Sequence, residues 1–248
     1  MANRCNEGTV RTALVTGGSG GIGKACGRKL CELGYDVVLC ARREEPLRAA
    51  AEEIGARYIV ADASDPVGFS GAVGGFETID LVVHAAGMLG GTYARKQTFE
   101  QWQEIMSANL DSCFVVTSAV LPRMRAGSRL VFVSSSAAHE PMMARTAYSA
   151  SKAGMNAFAR ALALEVDRDG IAVHIVTPGP VETEMLQDVP FEMHAIQVAD
   201  VADAVAWLDT VDPSVDLPEI RMHAVRRGPF ARPPIVPTEA RRRAAQRR

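Results

Sequence analysis

The sequence predicts an α/β protein, a doubly wound parallel sheet with helices on both faces, on the strength of three observations. Short apolar runs with a β-branched bias alternate with segments of helical periodicity through most of the 248 residues, the pattern of successive βαβ units. A glycine cluster stands at the first strand-to-helix turn, within residues 17–23. No internal repeat and no linker divides residues 1–225, so they read as one domain.

Residues 13–16 are a short apolar strand. Ile22, Ala25, Cys26, Leu30 and Leu33 then share one helical face, and Gly34 supplies a stop. Residues 36–40 (DVVLC) are the second strand, followed by a charged, alanine-rich helix over 44–54 that Gly55 ends. Residues 58–61 form the third strand, 67–73 a weak helix and 80–84 (DLVVH) the fourth strand. Thr98 and Gln101 have capping-box spacing and open a long helix to about Met124. Residues 129–133 (RLVFV) are the fifth strand, 148–166 a small-residue helix and 172–176 (AVHIV) the sixth strand; a helix over 200–208 and a strand over 219–224 complete the order.

Hydrophobic residues make up 48% and charged residues 23%, a balance that excludes a disordered chain or collagen. No uninterrupted apolar run approaches the roughly 18 residues that span a bilayer. The first residues hold no apolar stretch ending in a cleavage site, so a cytoplasmic protein without a membrane segment is expected. Cys5, Cys26, Cys31, Cys40 and Cys113 are odd in number and lack Cys-x-x-Cys spacing, which argues against a disulfide framework or a zinc site; no metal is expected. The net charge of −2 hides a division: residues 226–248 hold eight arginines and one acid, Glu239, while the other 225 residues carry −9. Pro229, Pro233, Pro234 and Pro237 forbid a continuous helix there. Residues 226–248 therefore read as a separate basic tail, dispensable for folding beyond about Gly228.

Thr16-Gly17-Gly18-Ser19-Gly20-Gly21-Ile22-Gly23 has the chemistry of a phosphate cradle. Glycine permits the tight turn and lets a pyrophosphate approach the backbone, and a helix N-terminus offers N–H groups and a positive dipole end. After the second strand comes Ala41-Arg42-Arg43, with no acid at the strand end to hold a ribose 2′-hydroxyl. The planar fork of Arg42 suits a 2′-phosphate instead.

Taken together with residues further along, this turn resembles the single-domain branch of the short-chain dehydrogenase/reductase family. Asp62 follows the third strand, where the family places an aspartate beside adenine, and Ala63 adjoins it. Ala85-Ala86-Gly87 ends the fourth strand, and Asn109 sits in the long helix. Ser135 precedes Tyr148 by thirteen residues, and Tyr148-Ser149-Ala150-Ser151-Lys152 is the family's Tyr-x-x-x-Lys. Pro178-Gly179-Pro180-Val181-Glu182-Thr183 matches Pro-Gly-x-Val-x-Thr. The match is strong over residues 10–185 and weak over 186–225. Two departures stand out: His84 replaces a usual asparagine, read as a variation in strand support, and the common glycine pair after the last strand is missing.

The resemblance implies a Rossmann-type fold and an NADP-dependent oxidoreductase that moves hydride between nicotinamide and a ketone or secondary alcohol. The cofactor-binding residues it implies are Gly17, Ser19, Gly21, Ile22, Gly23, Arg42, Asp62, Ala63, Ala85, Ala86, Gly87, Tyr148, Lys152, Pro178, Gly179, Val181 and Thr183. Tyr148 would be the general acid/base, Ser135 would orient the carbonyl, Lys152 would hold the nicotinamide ribose, and Asn109 would hold a water feeding protons to the lysine. Tyr148 and Lys152 are i and i+4 on one helical face, and a close ammonium lowers a phenol from its ordinary value near 10. Arg42 should favour NADPH over NADH by about 10- to 100-fold, with NAD the lesser cofactor.

Met88, Leu89, Met142, Met143, Met185, Leu186, Phe191 and Met193 are candidate pocket residues and point to an apolar carbonyl or alcohol substrate. A 3-oxoacyl thioester is the narrower alternative. A nucleotide-sensing module acting on nucleic acid through the arginine tail is the alternative of another class, disfavoured by the intact Tyr148–Lys152 pair. Ala150, Gly154, Ala157 and Ala161 at helical spacing imply a homo-oligomer, a tetramer or dimer.

Overall fold

The strands are β1 (Thr12–Thr16), β2 (Asp36–Ala41), β3 (Arg57–Val60), β4 (Leu81–His84), β5 (Arg129–Val133), β6 (Ala172–Pro178) and β7 (Glu219–Met222). They form one parallel sheet in the order β3-β2-β1-β4-β5-β6-β7. The computed structural model describes residues 10–186, 193–212 and 214–235. The order reverses between β1 and β4, and the crevice beyond the carboxyl ends of these strands is where such sheets bind ligands.

Strand periodicity divides the core in two. Ala13, Val15, Leu81, Val83, Val131 and Val133 belong to one layer, packed with α1 (Gly21–Glu32), α2 (Glu44–Ile54) and α7 (Val198–Leu208). Leu14, Val82, Leu130 and Phe132 belong to the other, packed with α3 (Pro66–Val73), α5 (Ser112–Val120) and α6 (Thr146–Val166). Central β4 and β5 are buried throughout, as a sheet covered on both faces requires. Each large apolar side chain removed from water here, such as Leu130 or Phe132, contributes about 1.5–3 kcal/mol.

The helix ends follow local chemistry. Asp65 caps α3 by accepting from the Val67 N–H at 3.1 Å, with Pro66 in the first turn. Thr98 and Gln101 exchange both bonds of a capping box, at 3.2 and 3.1 Å, and start α4 (Phe99–Met106). Gly55 closes α2 in the left-handed region at φ 72°.

The long helix expected from Thr98 to Met124 differs in two ways. A π-helical turn, Ser107–Asp111, interrupts it, and the α-helical geometry stops at Val120, ahead of a 3₁₀ turn containing Pro122. Proline has no N–H to continue the ladder. Although no uninterrupted apolar run exists, the whole stretch Phe99–Arg123 is long and apolar enough on average to cross a bilayer. Its apolar residues serve the domain instead: Ile105, Cys113, Val116 and Val120 are buried.

His84 also departs from its expected role in strand support by hydrogen bonding. It is buried, its Nε2 has no partner among the described residues, and the ring stacks on Phe132 with centroids 4.2 Å apart. Burial brings its pKa down to about 3, so the imidazole is neutral and acts as an aromatic plate.

The tail expected to be dispensable beyond Gly228 returns to the body. Ile235 and Met193 exchange backbone hydrogen bonds of 2.8 and 3.3 Å. Arg232 grips Asp200 with both guanidinium nitrogens, and its carbonyl accepts from His194 Nδ1 at 3.1 Å. Packing therefore continues past the 225/226 boundary to Ile235; residues 236–248 lie outside the described residues. Deleting the chain from Gly228 onward should lower the melting temperature by about 2–4 °C. Scanning calorimetry checks this, and an unchanged transition would show that these contacts contribute no stability.

Candidate active site

The glycine turn joins β1 to α1 and is shaped by contact with the β4 end. Gly17 sits at φ +69°, and a Cβ there would lie 2.7 Å from the Ala85 carbonyl oxygen, so both conformation and space require glycine. Thr16 reinforces the approach by accepting from the Ala86 N–H at 3.2 Å. Among the described residues no side chain caps α1, and no acid stands in its first turn, which leaves its N-terminal N–H groups to an anion. Gly21 packs toward Thr183, Gly23 is buried, and Ile22 packs on the core beneath the turn.

A cleft of about 230 Å³ opens beside this turn. Gly17, Ser19, Arg42, Asp62, Ala63, Ala86 and Gly87 line it, in agreement with the sequence motifs. Cys40, Arg43, Ser64, Met88, Ala108 and Ser112 line it as well, and sequence reasoning does not single them out as cofactor contacts. Arg43 also stands at the N-terminal boundary of α2. Ala108 and Ser112 reach the cleft from the π turn and the start of α5, a register that the sequence pattern does not announce.

Asp62 is fixed by Ser64, whose N–H and hydroxyl both donate to its Oδ1, at 2.9 and 2.7 Å. Burial works against its charge, but these bonds and the nearby Arg42 hold the carboxyl below its ordinary value. Arg42 stands 3.9 Å from the other oxygen, with its side chain 71% exposed, free to turn toward an anion at the cleft rim.

Asn109 is fully buried in the π turn. Its Oδ1 accepts from the Met88 N–H at 2.7 Å, and its Nδ2 donates to the Met88 carbonyl and to Ser151 Oγ, both at 3.0 Å. Both amide hydrogens are thus used within the protein. In this arrangement the side chain braces the β4 loop against α6. Gly87 makes room for it, since a Cβ there would lie 2.7 Å from Asn109 Oδ1 and 3.7 Å from Lys152 Nζ. The same distances place Lys152 behind Gly87, which lines the cleft.

Lys152 is buried and donates to the Val133 carbonyl at 2.9 Å. Burial brings its pKa down to about 8. Tyr148, one turn earlier, is affected in the opposite sense. Burial raises its pKa, and only a hydrogen bond with Ser135 opposes this. Lys152 does not contribute to this shift, and its ammonium donates to the Val133 carbonyl. Ser135 leads a 3₁₀ turn, Ser136–Ala138, and its Oγ accepts from the Ala137 N–H at 3.2 Å.

The loop after β6 closes the site from the other side. Pro178 ends the strand, Gly179 donates to the Met222 carbonyl at 2.7 Å, and Val181 is buried where it bridges to Ile196. Thr183 hydrogen-bonds back to the Val181 carbonyl and faces Gly21. Of the candidate substrate residues, Met142 and Met143 are exposed, Met88, Leu89 and Leu186 are half-buried, and the backbone of Met193 is engaged by Ile235. The Met185 side chain and Phe191 lie outside the described residues.

Comparison with known proteins finds relatives over most of the chain. The profile of the family described as short chain dehydrogenase matches residues 11–193. The acetoacetyl-CoA reductase of Cupriavidus necator is 32% identical over 191 residues, covering 72% of this chain and 78% of that one. A crystal structure of an actinorhodin polyketide ketoreductase variant with NADPH superposes with a TM-score of 0.77 at 29% identity, covering 86% of this chain and 95% of that one. A short chain dehydrogenase from Burkholderia cenocepacia in complex with NADP gives 0.78 at 27% identity, over 86% and 96%.

The depressed Lys152 carries a stability signature of its own. Folding removes an ammonium from water, so between about pH 8 and 10.5 the unfolded chain binds a proton that the folded chain has lost. The penalty is therefore complete below pH 8 and fades toward 10.5. Lys152→Met should stabilise the cofactor-free protein at pH 7 by about 1–2 kcal/mol. This is about 1.4 kcal/mol for each tenfold loss of proton affinity on folding, less the lost bond to Val133. Urea titrations at pH 7, 9 and 10.5 should show the advantage shrinking; one that stays constant with pH would rule out this origin.

Proposed function

This chain belongs to the short-chain dehydrogenase/reductase family, and on that premise we propose that it reduces a ketone with NADPH or oxidises the matching secondary alcohol with NADP. The observation that carries the reading is the buried Lys152 ammonium directly behind Gly87, which lines the glycine-turn cleft, one helical turn from the Tyr148 phenol.

The residues fit the cofactor. The Gly17 turn and the uncapped start of α1 suit a pyrophosphate. Arg42 at the rim suits a 2′-phosphate, and Asp62 and Ala63 stand where an adenine ribose would lie against the cleft. Bound NADPH supplies the hydride. Tyr148, kept protonated by burial, donates its proton to the substrate oxygen as negative charge develops there. Ser135 donates its O–H to the same oxygen and orients it. Lys152, near 8, can exchange a proton close to neutrality. Asn109 fixes Met88 and Ser151 around these groups. The name of the Cupriavidus relative supports a 3-oxoacyl thioester as the substrate class, and the exposed Met142 and Met143 offer an apolar approach. Unpaired Cys26, Cys31, Cys40 and Cys113 fit a reducing, cytoplasmic setting.

Turnover of acetoacetyl-CoA and of simple ketones with each nicotinamide tests this reading. Tyr148→Phe should cut kcat by about 10²–10⁴-fold while leaving NADPH affinity within a few fold. Arg42 is largely exposed, so its preference for NADPH should fall at the low end of the expected range, about tenfold, and vanish in Arg42→Ala. A Tyr148→Phe enzyme with more than half the wild-type rate, or tighter binding of NADH by the wild type, would sink the reading.

We further infer a homo-oligomer. On α6, Gly154 packs on Leu110 of its own chain, contrary to the expectation that it faces a neighbour. Ala150, Ala157 and Ala161 remain exposed beside Leu164, 84% exposed, and Phe114 of α5, 60% exposed. Such adjoining apolar groups favour a second copy. Light scattering at micromolar concentration should give a multiple of 26.5 kDa, and Leu164→Glu should reduce it; a monomeric wild type rejects the inference.

A further inference from the structure

One carboxylate outside the Tyr148–Lys152 pair touches every element that carries a site residue on this side of the fold. Glu219 opens edge strand β7, and its side chain is 11% exposed. Its Oε1 accepts from Thr177 Oγ1 at 2.7 Å and faces His139 Nε2 at 2.6 Å. Its Oε2 accepts from Arg160 at 2.9 Å, and Arg221 lies alongside at 3.3 Å from Oε1. Burial opposes the charge, but hydrogen bonds from Thr177, His139 and Arg221 outweigh it and bring the carboxyl to about 2.

Each partner leads to the site. Thr177 immediately precedes Pro178 and Gly179. Arg160 continues the i+4 series Tyr148, Lys152, Asn156 along α6. His139 ends the turn that Ser135 begins: Ala138 donates to the Ser135 carbonyl at 3.0 Å, and His139 donates to the Ser136 carbonyl at 3.0 Å. The ring is held from both sides. Nε2 meets the carboxylate and so carries the hydrogen, while Nδ1 faces the Arg221 guanidinium at 3.3 Å and accepts. Asn156 Nδ2 stands 3.3 Å from the same Nε2; exchanging the amide oxygen and nitrogen would let Oδ1 accept that hydrogen.

We propose that Glu219, acting through His139, is a positioning residue for the reduction: from the edge strand it holds the Ser135 turn in register with Tyr148 on α6. Neither residue touches the reacting atoms in this scheme. The 3₁₀ turn is only three residues long, and His139 anchors its far end through its side chain. Without that anchor the Ser135 hydroxyl keeps its chemistry but loses its place. The proposal rests on the ketone-reductase reading above.

A double-mutant cycle with an exchange measurement tests it. Glu219→Gln should lower kcat by about 10- to 100-fold, the scale of a misplacement of about 1 Å, with NADPH affinity within about twofold. In a Ser135→Ala background the same change should cost less than about twofold more, because the hydroxyl it positions is gone. In the cofactor-free protein, hydrogen exchange at the Ala137, Ala138 and His139 amides should be faster in Glu219→Gln than in wild type. His139→Gln should reproduce all three results and serves if Glu219→Gln fails to fold. Equal losses in both backgrounds, or unchanged exchange in the turn, would overturn the proposal. If the wild type reduces no ketone, the functional reading falls, while the exchange measurement still decides whether Glu219 holds the turn.

Discussion

The side chain of Asn109 joins three segments that the sheet alone would leave independent. It closes a two-bond clamp on the main chain of Met88, beyond β4, and reaches Ser151 on α6 from its own position in the π turn. Two local features permit this. The π turn carries one more residue than an α-turn, a geometry often found at functional sites. Gly87 leaves the volume into which the amide oxygen fits. The network is buried, so removing one partner would strand polar groups at about 1–3 kcal/mol each. That penalty keeps the β4 loop, the cleft wall and the Tyr148 helix in a single arrangement.

The two cations of the site are held in opposite environments, as their roles require. Lys152 has left water and has one carbonyl at 2.9 Å in return, so its proton is loosely held and its charge acts at short range in a low dielectric. Arg42 stays in solvent, loosely paired with Asp62, and can turn to a phosphate at little reorganisation cost. Tyr148 is pushed by burial toward its neutral form while Lys152 is pushed toward its own. A phenol that stays protonated suits proton donation to a ketone oxygen. The same burial that costs stability prepares the groups for transfer.

At the far edge of the sheet, four-residue β7 is short and carries Glu219 and Arg221, which discourages pairing with a foreign strand. The same charged residues bind inward to His139, Arg160 and Thr177, so protection of the edge and bracing of the site use one set of side chains. The returning chain at Arg232–Ile235 adds a second brace, on the segment Met193–Asp200 that follows the β6 loop.

The alternation of strands and helices, the glycine turn, the capping box at Thr98 and the i, i+4 pair Tyr148–Lys152 were all legible in the sequence. Each is a local pattern: periodicity, turn chemistry or spacing within one element. Arg42 was legible for the same reason, since it directly follows a recognisable strand. The π turn, the engaged amide of Asn109, the stacked His84 and the inward course of Arg232 were not. Nor was the Glu219–His139 pair, whose members are 80 residues apart. Sequence spacing says which face of an element a side chain occupies, but not which partner from a distant element meets it there. Hydrogen-bond partners and desolvation are set by that meeting, so the direction in which Tyr148 and Lys152 titrate emerged only once the chain was folded.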